Sequence, residues 1–223
     1  MSWNSGWDNI FKEYSWGRYP SEELVRFIGR KYPDRTNREQ QRVLEIGCGT
    51  GANLWFLAKE GFQTFGLDGS RIAIEQARLR LQEEQVSAEL QVGDAMQLPY
   101  DNVFFDLIID VECLYANTMK DSLIILQEAK RVLKPDGRLF SITFMTGTYG
   151  DGKGVPLPDE PNTYSELTEG ALKTGYGIIR FSSEEDVRKL YSLFTIEQLD
   201  YLIRSNKGRQ YEIREWLISC VKS

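Results

Sequence analysis

The order of hydrophobic and polar positions divides the middle of the chain into alternating strand-like and helix-like stretches. Short apolar runs typical of buried strands lie at 42–46, 62–67, 89–93, 104–110 and 138–144. Stretches with one apolar face predict helices between them, near 51–60, 71–85 and 121–133. Strands that alternate with helices in this way form a parallel sheet with helices on both faces. We therefore expect an α/β fold.

The stretches outside this core follow other patterns. An apolar-faced helix is predicted after Ser21, which is a possible cap. A second helix is predicted to begin at Ser183, because Asp186 stands at capping-box spacing from it. Two extended runs, 194–204 and 211–221, are separated by a turn and predict a long antiparallel hairpin.

Glycine and proline dominate residues 146–163. A connection of this length is either disordered or a lid over a site, and we interpret 164–181 as a partly helical continuation of that lid. No repeat or second domain is visible. We therefore expect a single domain over 1–223, made of an N-terminal cap (1–40), a cofactor-binding core (41–145), a lid (146–181), and a helix with a hairpin (182–223).

The N-terminal segment is rich in aromatic side chains, which are Trp3, Trp7, Phe11, Tyr14, Trp16 and Tyr19. They have two interpretations: they seal the first helix onto the domain, or they cover a bound ligand. Arg18 lies between Trp16 and Tyr19 and would suit a carboxylate partner, although a surface position is the default for arginine.

Composition and charge narrow the function classes. The chain has 223 residues, of which 41% are hydrophobic and 27% charged, as in ordinary soluble globular proteins. A net charge of −6 argues against a nucleic-acid partner, since phosphate binding needs clustered cations. No apolar run is long enough to cross a membrane. The three cysteines, Cys48, Cys113 and Cys220, fit neither a metal site nor a disulfide framework, so we expect a cytoplasmic protein.

The sequence contains no histidine. This absence excludes histidine as a general base or metal ligand, and it excludes nucleophiles that depend on a histidine partner. We expect no metal site.

One stretch, 43–51, has the character of a ligand-binding loop. A short apolar strand ends in Glu45 and Ile46, and Gly47, Gly49 and Gly51 follow before a helix starts. Glycine tolerates positive φ and has no Cβ, so this backbone can lie against a ligand. The spacing also satisfies the dinucleotide fingerprint, so the glycines alone do not distinguish a nicotinamide cofactor from another adenosine cofactor.

Acidic residues follow the neighbouring strands. Asp68, Asp94 and Asp110 each stand at the carboxyl end of a predicted strand, where open α/β sheets bind ligands. Asp68 and Asp94 also have a simpler interpretation as parts of strand-end turns. Together with Glu45 they would surround a ligand with carboxylates, which disfavours a pyrophosphate and suits a cofactor with a cationic amino-acid tail.

These motifs resemble the class I S-adenosylmethionine-dependent methyltransferases, in particular the group acting on small molecules. The resemblance covers residues 41–145 and includes Gly66-Leu67-Asp68, Gly93-Asp94-Ala95 and the segment 128–137. It implies a Rossmann-like three-layer sandwich with a seven-stranded, mostly parallel sheet whose last strand is antiparallel. It also implies S-adenosyl-L-methionine as the cofactor.

The resemblance assigns roles to individual positions. Glu45 would help to hold the amino group, Asp68 the ribose hydroxyls, and Asp94 and Ala95 the adenine. Asp110 would border the methionine part. The expected cofactor-binding residues are Glu45, Gly47, Cys48, Gly49, Gly51, Asp68, Gly69, Asp94, Ala95, Met96 and Asp110, with Trp16 and Arg18 from the N-terminal segment.

The acceptor is less defined. A hydroxyl acceptor would benefit from a nearby base, and the candidates are Glu112, Tyr115 and Asp110, with a lip position as the simpler interpretation of Glu112. Arg18, Arg180 and Lys153 suggest a small polar acceptor that is methylated on oxygen. The alternatives are N- or C-methylation of a flat aromatic molecule, an NAD(P)-dependent oxidoreductase, and a non-catalytic binding protein. The oligomeric state is left open.

Overall fold

The computed structural model describes residues 4–13, 17–170, 172–173 and 177–222. Its strands are β1 (Arg42–Ile46), β2 (Gln63–Asp68), β3 (Glu89–Val92), β4 (Phe105–Val111), β5 (Leu133–Phe144), β6 (Val155–Pro156), β7 (Thr163–Ser165), β8 (Ile178–Arg180), β9 (Thr195–Asn206) and β10 (Tyr211–Val221). Its helices are α1 (Gly6–Glu13), α2 (Glu22–Lys31), α3 (Ala52–Lys59), α4 (Arg71–Glu83), α5 (Met119–Val132) and α6 (Glu184–Leu190).

Seven strands form one sheet in the order β3-β2-β1-β4-β5-β10-β9. The last strand, β10, is antiparallel to both of its neighbours, and the other pairings are parallel. The predicted fold class is therefore confirmed. The strand order reverses between β1 and β4, and this reversal is the place where open α/β sheets open a crevice for ligands.

The sheet has an apolar layer on each face. In β4, Leu107 and Ile109 belong to the cluster that contains Phe27 and Ile28 of α2. Ile108, between them, belongs to the opposite cluster with α5 and α6. This strand is buried on both sides and reads as a continuous apolar run because successive side chains point to opposite faces. Each such side chain contributes about 1.5–3 kcal/mol by leaving water.

Most predicted elements are confirmed within about two residues, including the C-terminal hairpin and the capping box of Ser183 and Asp186. Ser21 does precede α2, but its side chain makes no capping hydrogen bond. The aromatic N-terminal segment contains a helix, α1, that the sequence pattern did not indicate.

Two predictions about the second half need correction. The partly helical continuation over 164–181 is wrong for the described residues there, which contain β7 and β8 of a three-stranded sheet with β6. Several glycines interrupt this stretch, and Gly170 has a φ of 121°, which a helix does not permit. The sequence Lys134-Pro135-Asp136-Gly137 predicts a turn between α5 and the next strand. These residues instead form a bulge inside β5, where Asp136 has a φ of 60°.

None of the described helices is both long and apolar enough to span a membrane.

Candidate active site

A pocket opens at the carboxyl edge of the sheet, above the reversal between β1 and β4. Its floor is the glycine loop after β1, and one side is formed by the residues that follow β2 and β3. The other side is formed by the turn after β4, and the N-terminal segment closes over it. Five chain segments that are separate in sequence thus meet at one site.

The glycine loop is held by the neighbouring strand. The N–H groups of Gly47 and Cys48 both donate to the carbonyl of Leu67, at 2.8 and 3.1 Å. Gly47 has a φ of 67°, and a Cβ placed on it would stand 2.3 Å from the Sγ of Cys113. Glycine is therefore required at this position by both conformation and space.

The remaining loop glycines have different surroundings. Gly49 has a φ of 50° and lines the pocket. Gly51 precedes α3 with a φ of 76° and faces Ala77 instead, whose Cβ would lie 3.1 Å from a Cβ on Gly51. The Gly51 position is thus explained by helix packing rather than by contact with the pocket.

Glu45 is a buried acid on the pocket wall. Its Oε1 accepts a hydrogen bond of 2.6 Å from the Nδ2 of Asn53, and its Oε2 is buried without a hydrogen-bond partner among the described residues. Burial raises the pKa of Glu45 to about 8, against the lowering effect of Asn53. A cation at the free oxygen would restore the ionised form.

Asp68 stands at the end of β2 and lines the pocket with Gly69. Its Oδ2 accepts from the Gly49 N–H and its Oδ1 accepts from the Ser70 N–H, both at 2.8 Å. Burial raises the pKa of Asp68, although both hydrogen bonds act in the opposite direction. Carboxylate oxygens have further lone pairs, so Asp68 can still accept from ligand hydroxyls.

The residues after β3 divide between the pocket and the core. Gly93 and Ala95 line the pocket. Asp94 accepts a hydrogen bond from the Met96 N–H at 2.9 Å, which closes the strand-end turn. Met96 packs against the apolar cluster around α5 rather than on the pocket wall.

Asp110 lies beneath the pocket and fixes the turn above it. Its Oδ1 accepts from the N–H groups of Cys113 and Leu114, at 3.0 and 3.1 Å, and its Oδ2 accepts from the Ser141 hydroxyl. Burial raises the pKa of Asp110 to about 6. Asp110 is 1% exposed, so it acts on a ligand only through the turn that its side chain holds in place.

The two candidate catalytic residues have different environments. Glu112 lines the pocket and has a left-handed backbone with a φ of 57°. Tyr115 is buried and meets the ring of Phe144 edge-on, with centroids 4.9 Å apart. Burial raises the pKa of the Tyr115 phenol. Of the two, only Glu112 is on the pocket wall.

The N-terminal segment is tied across the pocket by side chains of α3 and α4. Trp55 Nε1 donates to the Arg18 carbonyl at 2.9 Å, and Arg80 donates to the Gly17 carbonyl at 3.0 Å. The Ser21 N–H donates to the Oδ1 of Asn53 at 2.9 Å. The pocket-lining residues of this segment are Trp7, Phe11, Gly17, Tyr19 and Ser21.

Some residues expected at the site are elsewhere or outside the described part. Trp16, expected in the cofactor site, lies outside the described residues, as do Trp3 and Tyr14. The guanidinium of Arg18 pairs with Glu84 at 3.1 Å and is not on the pocket wall.

The other cations expected near the acceptor are also engaged. Arg180 is 1% exposed and donates to the carbonyls of Asn117 and Leu114 and to the Ser122 hydroxyl. Lys153 pairs with Glu169 at 3.3 Å. Among the described residues that line the pocket there is no lysine or arginine, whereas three are acids.

Sequence reasoning missed two residues that complete this site. Asn53 joins Glu45 to the N-terminal segment, and its signal was an amide on the otherwise apolar helix α3. Glu215, on β10, acts on Glu112 and raises the pKa of its carboxyl. No sequence spacing connects Glu112 with Glu215, because their proximity depends on the position of β10 in the sheet.

Comparisons with known proteins agree with this architecture. Residues 43–137 match a family model described as a methyltransferase domain. A solved structure described as a SAM-dependent methyltransferase from Methanosarcina mazei has a TM-score of 0.71 and 20% identity, and covers 92% of this chain and 98% of that chain. The resemblance noted from the sequence motifs is thereby confirmed.

Two curated relatives differ in their acceptors. The probable tocopherol O-methyltransferase of Oryza sativa subsp. japonica is 26% identical over 181 residues, which are 80% of this chain and 48% of that protein. The norajmaline N-methyltransferase of Rauvolfia serpentina is 25% identical over 151 residues, which are 66% of this chain and 50% of that protein. The chain spans about half the length of these curated relatives.

Proposed function

We propose that the protein transfers the methyl group of S-adenosylmethionine to an oxygen atom of a small molecule. The premise is that residues 43–137 form a class I S-adenosylmethionine-dependent methyltransferase domain. The observation that carries the proposal is the charge of the pocket. Glu45, Asp68 and Glu112 line it, and no described lining residue is a lysine or arginine.

The pocket residues fit this cofactor. S-adenosylmethionine brings a sulfonium and an ammonium, and the unpartnered Oε2 of Glu45 would accept from that ammonium. A dinucleotide would bring a pyrophosphate among three carboxylates, which is electrostatically unfavourable. The same charge balance therefore speaks against the oxidoreductase alternative.

Other pocket residues would contact the ribose, the adenine and the methionine part of the cofactor. Asp68 would accept from the ribose hydroxyls, since its oxygens lie on the pocket wall and retain acceptor capacity. Ala95 offers an apolar contact for the adenine, and Asp94 would contribute through the turn it closes with Met96. Gly47 and Gly49 let the backbone approach the methionine part closely.

An acceptor molecule with an apolar body fits best the side of the pocket that is lined by Trp7 and Ala116. Both residues pack with Leu167, Ile179 and other lid residues in one apolar cluster. The polar acceptor expected from the sequence relied on Arg18, Arg180 and Lys153, all of which have protein partners. We therefore propose an aromatic or otherwise apolar molecule that carries a hydroxyl group.

The chain's contribution to the reaction is mainly alignment. The cofactor supplies a methyl group that is already activated on sulfur, and positioning alone can provide about 7–11 kcal/mol. Glu112 is the pocket-lining candidate for receiving the hydroxyl proton. Cys113 is a poor nucleophile candidate because burial raises the pKa of its thiol.

The proposal is tested with purified protein and methyl-labelled cofactor. We expect label to enter hydrophobic phenols and related hydroxyl compounds, with stoichiometric formation of S-adenosylhomocysteine. Matched acceptors that carry an amine or only a carboxylate in place of the hydroxyl should react at least tenfold more slowly. Preferential labelling of the amine would assign the protein to N-methylation instead, and binding of the cofactor without turnover would indicate a non-catalytic protein.

We also propose a cytoplasmic location, supported by three free cysteines, Cys48, Cys113 and Cys220. Nucleic acid is not among the proposed partners because the net charge is −6.

A further inference from the structure

Two carboxyl groups meet at the acceptor side of the pocket. Glu112 follows β4, and its N–H donates to the carbonyl of Ile142 at 3.0 Å. The carboxyl of Glu215 acts on the carboxyl of Glu112 and raises its pKa. Glu215 stands on β10 opposite Phe144, the last residue of β5, so it lies near the carboxyl end of that strand.

The charges around this pair are unequal. Glu215 is 3% exposed, and its Oε2 accepts from the guanidinium of Arg204 at 2.7 Å. Asp110 and Tyr115 are the other ionisable groups that act on Glu112, and neither offers a positive charge. Arg204 is the cation that pairs with Glu215 and also acts on Glu112.

Two carboxylates in contact do not both ionise when one cation faces them. Because the guanidinium of Arg204 pairs directly with Glu215, it offers less stabilisation to an ionised Glu112. Burial and the neighbouring Glu215 raise the pKa of Glu112 above its ordinary value. A base with a pKa near the working pH is the most efficient proton acceptor.

We propose that Glu215, held by Arg204, is a positioning residue that fixes the carboxyl of Glu112 and its proton affinity, so that Glu112 accepts the proton of the acceptor hydroxyl. This inference rests on the proposed function. In the transfer step the bond between the methyl carbon and sulfur breaks and its electron pair stays on sulfur. The hydroxyl oxygen forms the new bond to carbon, and its proton passes to the ionised Glu112.

The experiment measures kcat/KM against pH for the wild type, Glu215→Gln, Arg204→Gln and Glu112→Gln with the best hydroxyl acceptor. The wild type should gain activity as pH rises through the pKa of Glu112. Glu215→Gln replaces a repelling carboxylate by an amide donor, so this rise should move to lower pH by at least one unit. Arg204→Gln should move it to higher pH, and Glu112→Gln should lower kcat by about 10²–10⁴-fold.

Glu212→Gln is the matched control, because Glu212 lies on the same strand but pairs with Arg214 at the surface. Its pH profile should equal that of the wild type. Binding of S-adenosylhomocysteine, measured by calorimetry, should change less than threefold in Glu215→Gln, which shows that the variant remains folded.

The outcomes separate this inference from the proposed function. An active Glu215→Gln with an unmoved pH profile overturns the positioning role, and so does a Glu215→Gln that binds cofactor but loses activity equally at every pH. Absence of turnover in the wild type with every acceptor overturns the proposed function. In that case, infrared spectra of the cofactor-loaded wild type, Glu112→Gln and Glu215→Gln still report whether the pair holds a carboxyl proton at pH 7.

Discussion

Replacing Glu45 by glutamine should make the cofactor-free protein more stable near neutral pH and make it bind the cofactor more weakly. Glu45 is 2% exposed, and its pKa is about 8 in the folded protein compared with 4.5 ordinarily. An acid with a raised pKa in the folded state keeps its proton there while the unfolded chain releases it. The stability contributed by that proton is therefore lost as pH rises from about 4.5 to about 8.

The size of this loss follows from the two pKa values. One pKa unit corresponds to about 1.4 kcal/mol, so the penalty reaches on the order of 3 kcal/mol at pH 7 and approaches its maximum at pH 8. Glutamine has nearly the same shape, keeps an oxygen that accepts from the Nδ2 of Asn53, and does not ionise. Glu45→Gln should therefore raise the free energy of unfolding by a few kcal/mol at pH 8 and by little at pH 5.

Urea denaturation of the cofactor-free protein at pH 5 and pH 8 measures this difference. The control is Glu83→Gln, an exposed position on α4, which should stay within about 0.5 kcal/mol of the wild type at both pH values. The same Glu45→Gln protein should bind S-adenosylmethionine at least tenfold more weakly, since a charge-assisted hydrogen bond contributes about 1.5–3 kcal/mol. This reasoning would be refuted if Glu45→Gln were less stable than the wild type at pH 8. It would also be refuted if the free energies of unfolding of the two proteins differed by the same amount at pH 5 and pH 8.

Three further substitutions test other parts of the site. Gly47→Ala should abolish measurable cofactor binding and destabilise the fold by more than Gly208→Ala does. Both glycines have a φ near 66°, but only Gly47 faces Cys113. Equal losses of stability for the two variants in thermal denaturation would contradict this prediction. Asn53→Ala leaves Glu45 and the Ser21 N–H without their partner, so calorimetry should show cofactor affinity reduced about tenfold, and an unchanged affinity would argue against the link. Arg180→Met removes three hydrogen bonds to buried acceptors and should cost on the order of 3 kcal/mol in urea denaturation. A loss of activity without a loss of stability would instead place Arg180 at the acceptor.

The elements and the glycine loop were predictable because their signals are local. The apolar run ending at Ile46, the glycines after it and the helix that follows are contiguous in sequence, and each residue type has one dominant physical reason to be there. The acids at strand ends were predictable for a related reason, since parallel strands bring their carboxyl ends to one edge. Asp68 and Glu45 accordingly line one pocket.

Other features depended on contacts that sequence spacing does not encode. Nothing near Asp110 in sequence indicates that the hydroxyl of Ser141, on β5, donates to its Oδ2. Arg180 looked available for a substrate, but it is buried and holds the turn after β4. The lid residues were misread because their short strands pair only with each other, and such pairs have weak sequence signals.

The insertion of β10 between β5 and β9 also sets an order of assembly for the pocket. The cofactor side is built from β1, the glycine loop, α3 and β2, which are neighbours along the chain. The Glu112–Glu215 contact closes a loop of roughly a hundred residues, and contacts of such large sequence separation form late because loop closure costs entropy. A nascent chain can therefore complete its cofactor side before its acceptor side exists, and the proposed proton transfer to Glu112 requires the last strand to enter the sheet.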